Sequence, residues 1–382
     1  MQRIDRRDFL KIGAGAAVVL GASPLLGSCG DSGESIPSTP TSPPLTRVAI
    51  VKGGDLRAMA RDVLDAVGGI GSVVGEGQTV FIKPNFVTIG WQSKGREAIA
   101  TGECTKPEIL MAVAEECLKV GASEVIIGDG SQMPTWPWDK IMTLDRSTNM
   151  AAEAQRLTSA YEGKVTLACL DADSPEWVDV PTRTSLEKIS VSSLVARADR
   201  VISIPVLKTH QWAQMTLSMK CLIGTTPLAR YGAKPDGSQP RVVLHGTDAS
   251  IEQVFLDIIK GLTPDLAIID ASIGIEGDGP ALSSDTVATV DVKDRIGGWL
   301  LLASKDLAAA DATAARLTGH DVSKIRQLNM ALEQGVGEIR EEKIEIVGER
   351  LEDVRMEWIA ATPALPGQMS AGPHYYRHQV AV

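Results

Sequence analysis

Short, continuous apolar runs that alternate with helical patterns constrain this chain more than any other feature. Arg47–Lys52, Gln78–Ile82, Glu124–Ile127, Val165–Leu170, Arg200–Ile204, Leu266–Asp270, Trp299–Ala303 and Lys343–Val347 read as strands. Between them, Asp55–Val67, Lys106–Val120, Asn149–Tyr161, Ile251–Gly261, Leu307–Leu317 and Val322–Glu333 carry apolar residues at helical spacing. A strand that is apolar along its whole length must be covered on both faces, and helices between strands supply that cover. The expectation is an α/β fold over residues 46–350: a mostly parallel sheet flanked by helices, as one body or as two lobes. Its cleft would lie at the carboxyl ends of the strands. Residues 351–382 read as a C-terminal tail.

The polar residues just after these strands are types that carry chemistry. Lys83 and Asn85 follow the second strand, Asp129 the third, Lys208, Thr209 and His210 the fifth, Asp270, Glu276 and Asp278 the sixth, and Ser304, Lys305 and Asp306 the seventh. In an open parallel sheet the strands' carboxyl ends share one edge, and ligands bind there. Pro205 is expected to end its strand and put Lys208 and His210 on a loop. Lys220 follows on a short helix in TLSMKCLIG. His210 suits a metal ligand or a proton carrier, with Lys208 and Asp270 as its catalytic neighbours. Glu276 and Asp278 would hold a divalent cation or merely solvate a turn. Asp306 reads equally as a helix N-cap and Asp270 as a turn brace. His245 in RVVLHG is a second candidate ligand, though alone it reads as structural. No P-loop and no dinucleotide-binding glycine pattern occurs.

The whole chain carries a net charge of −10. Residues 1–28 hold four basic and two acidic side chains, so a chain beginning at Cys29 carries −12. That balance excludes a nucleic-acid partner and electrostatic docking on anionic lipid. Against it, Lys83, Lys106, Lys208 and Lys220 form a local cationic set, which predicts a site for a small anionic molecule. Apart from Cys29, the cysteines Cys104, Cys117, Cys169 and Cys221 show no close pairing, so no cysteine-ligated iron–sulfur cluster is expected. A disulfide among them stays open.

Three resemblances follow from particular residues. The basic head with Arg6 and Arg7, Phe9-Leu10-Lys11, a Gly/Ala-rich run and Leu26-Gly27-Ser28-Cys29 resemble a twin-arginine signal peptide (1–28) ending in a lipobox. The run is short and weakly apolar for a membrane span. The resemblance implies the twin-arginine translocase and lipoprotein-processing enzymes as partners, and lipidation at Cys29. It also implies a periplasmic or other extracytoplasmic location, with residues 29–45 as a disordered tether from the lipid to the folded body. Second, IKPN, TKPEIL, DRVISIPVLKTH, MTLSMKCLIG, IIDASIGIEGDGP and ASKDLAAADATAARLTG, in that order, resemble the family called domain of unknown function 362. That family typically has Lys-Asn where this chain has Lys220-Cys221. Some members carry a ferredoxin-like cluster module, whose cysteines this chain lacks. Third, Thr105-Lys106-Pro107 opening a helix, followed by Ile126-Ile127-Gly128-Asp129, is similar to the N-terminal domain of nickel-pincer lactate racemases. A basic loop at a helix N-terminus suits an anion; Thr105 as N-cap with Pro107 in the first turn explains the same residues. Together these predict an exported lipoprotein that binds or transforms a small anionic substrate, with a divalent metal assisting. Lys83, Asn85, Thr105, Lys106, Asp129 and Lys220 would bind it. A non-catalytic ligand-binding lipoprotein and a maturation factor for exported redox proteins are the alternatives.

Overall fold

The computed structural model describes residues 45–89, 95–186, 188–232, 241–245, 251–282 and 285–362. Arg6, Arg7, Cys29, the tether up to residue 44 and residues 363–382 lie outside them. The strands are β1 Thr46–Gly53, β2 Thr79–Pro84, β3 Glu124–Asp129, β4 Lys164–Cys169, β5 Trp177–Pro181, β6 Lys188–Ser192, β7 Arg200–Ile204, β8 Val206–His210, β9 Gln214–Thr216, β10 Leu266–Gly277, β11 Val287–Asp291, β12 Trp299–Ser304 and β13 Ile344–Gly348. Eleven of them form one mixed, mostly parallel sheet, ordered β13-β1-β12-β10-β7-β2-β3-β4, with β8 and β11 beside β10 and β9 beside β8. β5 and β6 pair separately as an antiparallel hairpin.

Alternation along each strand divides the core. Val80 and Ile82 face one hydrophobic cluster and Phe81 the other; Ile268 and Ile269 divide in the same way. Helices α1 (Leu56–Ala66), α2 (Pro107–Lys119) and α3 (Met150–Ala160) cover one face. Helices α5 (Ile251–Leu262), α6 (Leu307–Leu317) and α7 (Arg326–Glu333) cover the other, with a one-turn helix, α4 (Ser218–Cys221), beneath them. This is the expected α/β architecture. Among the described residues, no helix is long and apolar enough to cross a membrane.

Three departures from the sequence reading matter for the site. Pro205 ends β7 as expected, but no loop follows. It lacks an N–H, so the ladder breaks at one residue, but its carbonyl accepts from Asp270 N at 2.8 Å and the chain resumes as β8 along the second half of β10. Lys208, Thr209 and His210 therefore sit on a buried strand rather than a loop. Second, β12 runs antiparallel to both β1 and β10, which carries Ser304, Lys305 and Asp306 to the opposite edge. There Asp306 caps α6 through Ala309 N at 3.0 Å, and Ser304 Oγ donates to Arg47 O at 2.7 Å. Third, the start of the tail is packed: Met356 N and Trp358 N donate to Leu317 O and Thr318 O, and both side chains are buried.

Candidate functional site

β2, β7 and β3 run in parallel, so their carboxyl ends share an edge. Lys83 near the end of β2 forms an ion pair with Asp129 at the end of β3 and donates to Pro84 O at 2.8 Å. The second Asp129 oxygen accepts from Phe86 N at 2.6 Å. Gly224 crosses directly over this pair. A Cβ there would overlap Asp129 Oδ1 and stand 2.8 Å from Lys83 Nζ, so the approach depends on glycine.

Thr105 is a tie between strand ends, not a helix cap. Its Oγ1 accepts from Asn85 N at 2.9 Å and donates to Ile204 O at 2.8 Å, whereas the N-cap of α2 is Lys106, with Pro107 at the first helical position. Lys106 is fully buried: its backbone N donates to Asp270 Oδ2 at 3.1 Å, and its ammonium lies 3.3 Å from the same oxygen and also meets Ile273 O. Burial holds Lys106 below the ordinary lysine range, with Asp270 opposing. Asp270 Oδ1 is taken by Ser272 N at 3.1 Å and Ser272 Oγ at 2.5 Å. With both oxygens used, Asp270 is a structural counter-ion and not a base facing a substrate.

Lys208 lies on β8 with its Nζ 2.6 Å from Glu103 O and 3.3 Å from Asn85 Oδ1. It has no carboxylate at ion-pair distance among the described residues, and burial lowers its pKa to about 8. Lys208 also fixes Asn85: with Oδ1 accepting, the amide NH2 is left for the cavity that Asn85 lines. His210, at the end of β8, accepts at Nδ1 from Trp212 N at 3.1 Å and Ala213 N at 3.3 Å. An Nδ1 that accepts cannot carry the proton, so the neutral ring is protonated at Nε2. Burial, then Lys220 and His245, hold His210 well below the usual histidine range. His210 thus stands as a neutral ring with its N–H at Nε2.

Lys220 completes the set. It is 8 % exposed, its Nζ has no hydrogen-bond or ion-pair partner among the described residues, and it lines the same cavity. Burial, then Lys208, lower its pKa to about 7. The short helix that carries it is expected from the sequence and present.

The sequence reading missed Arg241, and His245, a second candidate ligand there, reads alone as structural; both belong to the site. Arg241 is buried, pairs with Asp171 at 3.1 Å and donates to Gly130 O at 2.9 Å and Thr226 O at 2.7 Å, drawing three loops together. His245 Nδ1 lies 2.8 Å from Arg241 O, so it carries the proton there and Nε2 is an acceptor. Burial and Lys220 lower its pKa to about 3. Its ring stacks on His210 with centroids 6.4 Å apart. The i, i+4 spacing of Arg241 and His245 in RVVLH was the available signal, since it puts both on one face of a helical turn. The cavity holds about 580 Å³ of atom-free space, part of it open to solvent, and Lys83, Asn85, His210, Trp212, Lys220, Arg241 and His245 line it.

Glu276 and Asp278 do not join this set. Glu276 pairs with Arg295 at 2.6 Å and accepts from Ile359 N at 2.9 Å; Asp278 accepts from Thr362 N at 2.6 Å. The expected metal group of His210, Glu276 and Asp278 is therefore not assembled, because the two carboxylates clasp the chain's C-terminal segment. No cluster of three or more metal-ligating side chains occurs among the described residues. The four cysteines outside the N-terminus are buried free thiols, so the disulfide left open by the sequence is not formed among them.

A helix-covered, mostly parallel sheet with a cation-rich cavity at its strand ends defines the class. The chain belongs to the family described as domain of unknown function (DUF362), whose family model matches residues 80–316, a span that contains every residue named in the cavity. A relative, the thylakoid-associated protein sll1697 of Synechocystis sp. (strain ATCC 27184 / PCC 6803 / Kazusa), is 28% identical over 244 residues, covering 62% of this chain and 64% of its own length. The lactate racemase apoprotein of Thermoanaerobacterium thermosaccharolyticum is 12% identical at a TM-score of 0.36, over 74% of this chain and 57% of that one. A Thermotoga maritima protein of solved structure is 11% identical at a TM-score of 0.31, over 63% and 55%.

Proposed function

We propose that the cavity binds a small anionic molecule, such as a carboxylate or phosphate. The observation that carries this reading is the Lys220 ammonium, buried without a counter-ion among the described residues, in a cavity shared with two donors, Asn85 NH2 and His210 Nε2–H, that also have no acceptor among them. A buried cation without a partner costs stability, and an anion placed among these three donors offsets that cost. Lys208 adds positive potential from behind Asn85. Calorimetric titration with a panel of carboxylates and phosphates tests the reading. At least one should bind, and Lys220→Met should weaken it about 10- to 150-fold, the equivalent of about 1.5–3 kcal/mol for a hydrogen bond to a charged group. Equal binding by both proteins would remove Lys220 from the site, and no binding by any panel member would end the proposal.

We propose further that the chain is exported by the twin-arginine route and anchored through lipid at Cys29, a reading in keeping with a relative named for its association with thylakoids. Arg6→Lys with Arg7→Lys should leave the precursor in the cytoplasm. Cys29→Ser should abolish palmitate incorporation, and labelling that persists in that variant would refute the lipobox.

A further inference from the structure

We infer that Lys220 is a nucleophile that forms an imine with a small oxo acid, a carboxylate that also carries an aldehyde or ketone carbonyl. This rests on the anion-site reading and adds a covalent bond to it. The lysines of this region are not alike. Lys83 has Asp129 and Pro84 O, Lys106 has Asp270 and Ile273 O, and Lys208 has Glu103 O and Asn85 Oδ1. Lys220 alone among these four has no acceptor within the described residues, although it too is buried and lines the cavity. No described residue pairs with its charge.

An amine is nucleophilic only when unprotonated, and enzymes free a lysine by burying it beside other cations. Here burial and the neighbours Lys208 and Lys83 act in that direction, so that a large share of Lys220 is free amine near neutral pH. His210 Nε2–H stands in the same cavity with its proton fixed by the two N–H groups on Nδ1. It is a donor for an oxygen on which negative charge develops. The Asn85 NH2 is a second donor, suited to the carboxylate.

The step balances without an oxidant or a reductant. The Nζ lone pair attacks the carbonyl carbon, and the C=O π pair moves onto oxygen, which accepts a hydrogen bond from His210 and takes a proton from water. Nζ gives up a proton to solvent, leaving a carbinolamine. Its C–O bond then breaks, the hydroxyl leaves as water with a proton taken from solvent, the nitrogen lone pair closes the C=N bond as a protonated imine, and loss of the remaining N–H proton returns that proton to solvent. One amine and one carbonyl become one imine and one water.

The test is reductive trapping on the full chain. Glyoxylate, pyruvate, acetoacetate and 2-oxoglutarate are each mixed with the protein, sodium borohydride is added, and the product is read by intact mass and peptide mapping. The expected result is one stable secondary-amine adduct per chain, on the peptide bearing Lys220, absent from Lys220→Arg and reduced by excess lactate. Lys220→Met serves as a second variant, and thermal unfolding verifies that both fold. Mapping the adduct in the wild-type protein needs no variant at all. Adducts scattered over surface lysines, equal in wild type and Lys220→Arg, would overturn the inference. So would calorimetric binding of an oxo acid with no trapped adduct, which removes the imine while the anion site stands. Absence of binding by both the oxo acids and lactate removes the anion site and the imine together.

Discussion

Asp311 and Ser218 are joined twice: Asp311 Oδ1 accepts from the backbone N of Ser218 at 2.8 Å and from its hydroxyl at 2.5 Å. Asp311 Oδ2 takes Met219 N at 3.0 Å, and Ser203 Oγ donates to Ser218 O at 2.9 Å. A carboxylate on α6 thus holds the first turn of α4, and Lys220 is the next residue of that turn.

Asp311→Asn puts an NH2 where one oxygen accepted a backbone N–H, so two donors face each other. The expected loss is about 1–3 kcal/mol, read as a lower urea midpoint at unchanged slope. Its pH dependence is diagnostic. Burial raises the Asp311 carboxyl from 3.8 to about 7, so between those values the native state holds a proton that the unfolded chain has released. This group's contribution to stability is therefore full at acid pH and falls as pH rises through that window. Urea midpoints measured across it should show wild type losing ground relative to Asp311→Asn. A gap that stays constant with pH would contradict the buried protonation.

Lys220→Met should separate function from stability. Methionine fills most of the same space without a charge, and replacing an uncompensated buried cation by an apolar side chain is stabilising. The sign with pH follows from a lysine lowered from 10.5 to about 7. At and below the lower value the folded protein bears the full cost of the buried ammonium; between the two the native state has shed a proton that the unfolded chain keeps, so wild type gains stability as pH rises. The variant's advantage in melting temperature should be greatest below about pH 7 and shrink toward pH 10. A variant less stable than wild type at pH 6 would show that the ammonium has a partner.

How far all this was legible in the sequence can be judged from particular elements. β2, β7, α2 and α6 were readable because a run apolar on both faces or a helical period is local information. Strand direction is not: periodicity is the same in either sense, so β12 was assigned to the wrong edge and Ser304–Asp306 with it. Pro205 ends β7 as its missing N–H requires, but that local signal does not reveal β10, which lies alongside and draws the next residues into the sheet as β8. Lys83, Asn85, Asp129 and His210, marked by their places near strand ends, and Lys220 on its short helix line one cavity. Their states were not readable, since the partners that set them are remote in sequence, as with Lys83 and Asp129 or Lys208 and Asn85. The hairpin of β5 and β6 mixes Asp179 and Pro181 into its apolar pattern and gave no clear period.

Glu276→Gln distinguishes a clasp from a metal ligand. Gln keeps an acceptor for Ile359 N and loses only the ion pair with Arg295, which is one-third exposed on the arginine side. The expected cost is small, about 0–1 kcal/mol, with faster proteolysis after residue 355 and unchanged anion binding in the cavity. A loss of anion affinity comparable to that of Lys220→Met would return Glu276 to the site.

Gly224→Ala should be strongly damaging. The added Cβ collides with Asp129 Oδ1 and lies 2.8 Å from Lys83 Nζ, and neither side chain has room to retreat because both are almost fully buried. Gly224 O also accepts from Gly130 N at 2.9 Å, which fixes the backbone from the other side. Relief must come from separating Lys83 and Asp129, and a buried ion pair parted in this way costs about 3–5 kcal/mol. Gly54→Ala is the matched control, since a Cβ at Gly54 has nothing within 4 Å. Urea unfolding of the two variants should therefore show Gly54→Ala close to wild type and Gly224→Ala strongly destabilised, with anion binding lost in the fraction that folds. Similar midpoints for the two would mean that the loop at Gly224 yields readily, and that the Lys83–Asp129 pair does not depend on its approach.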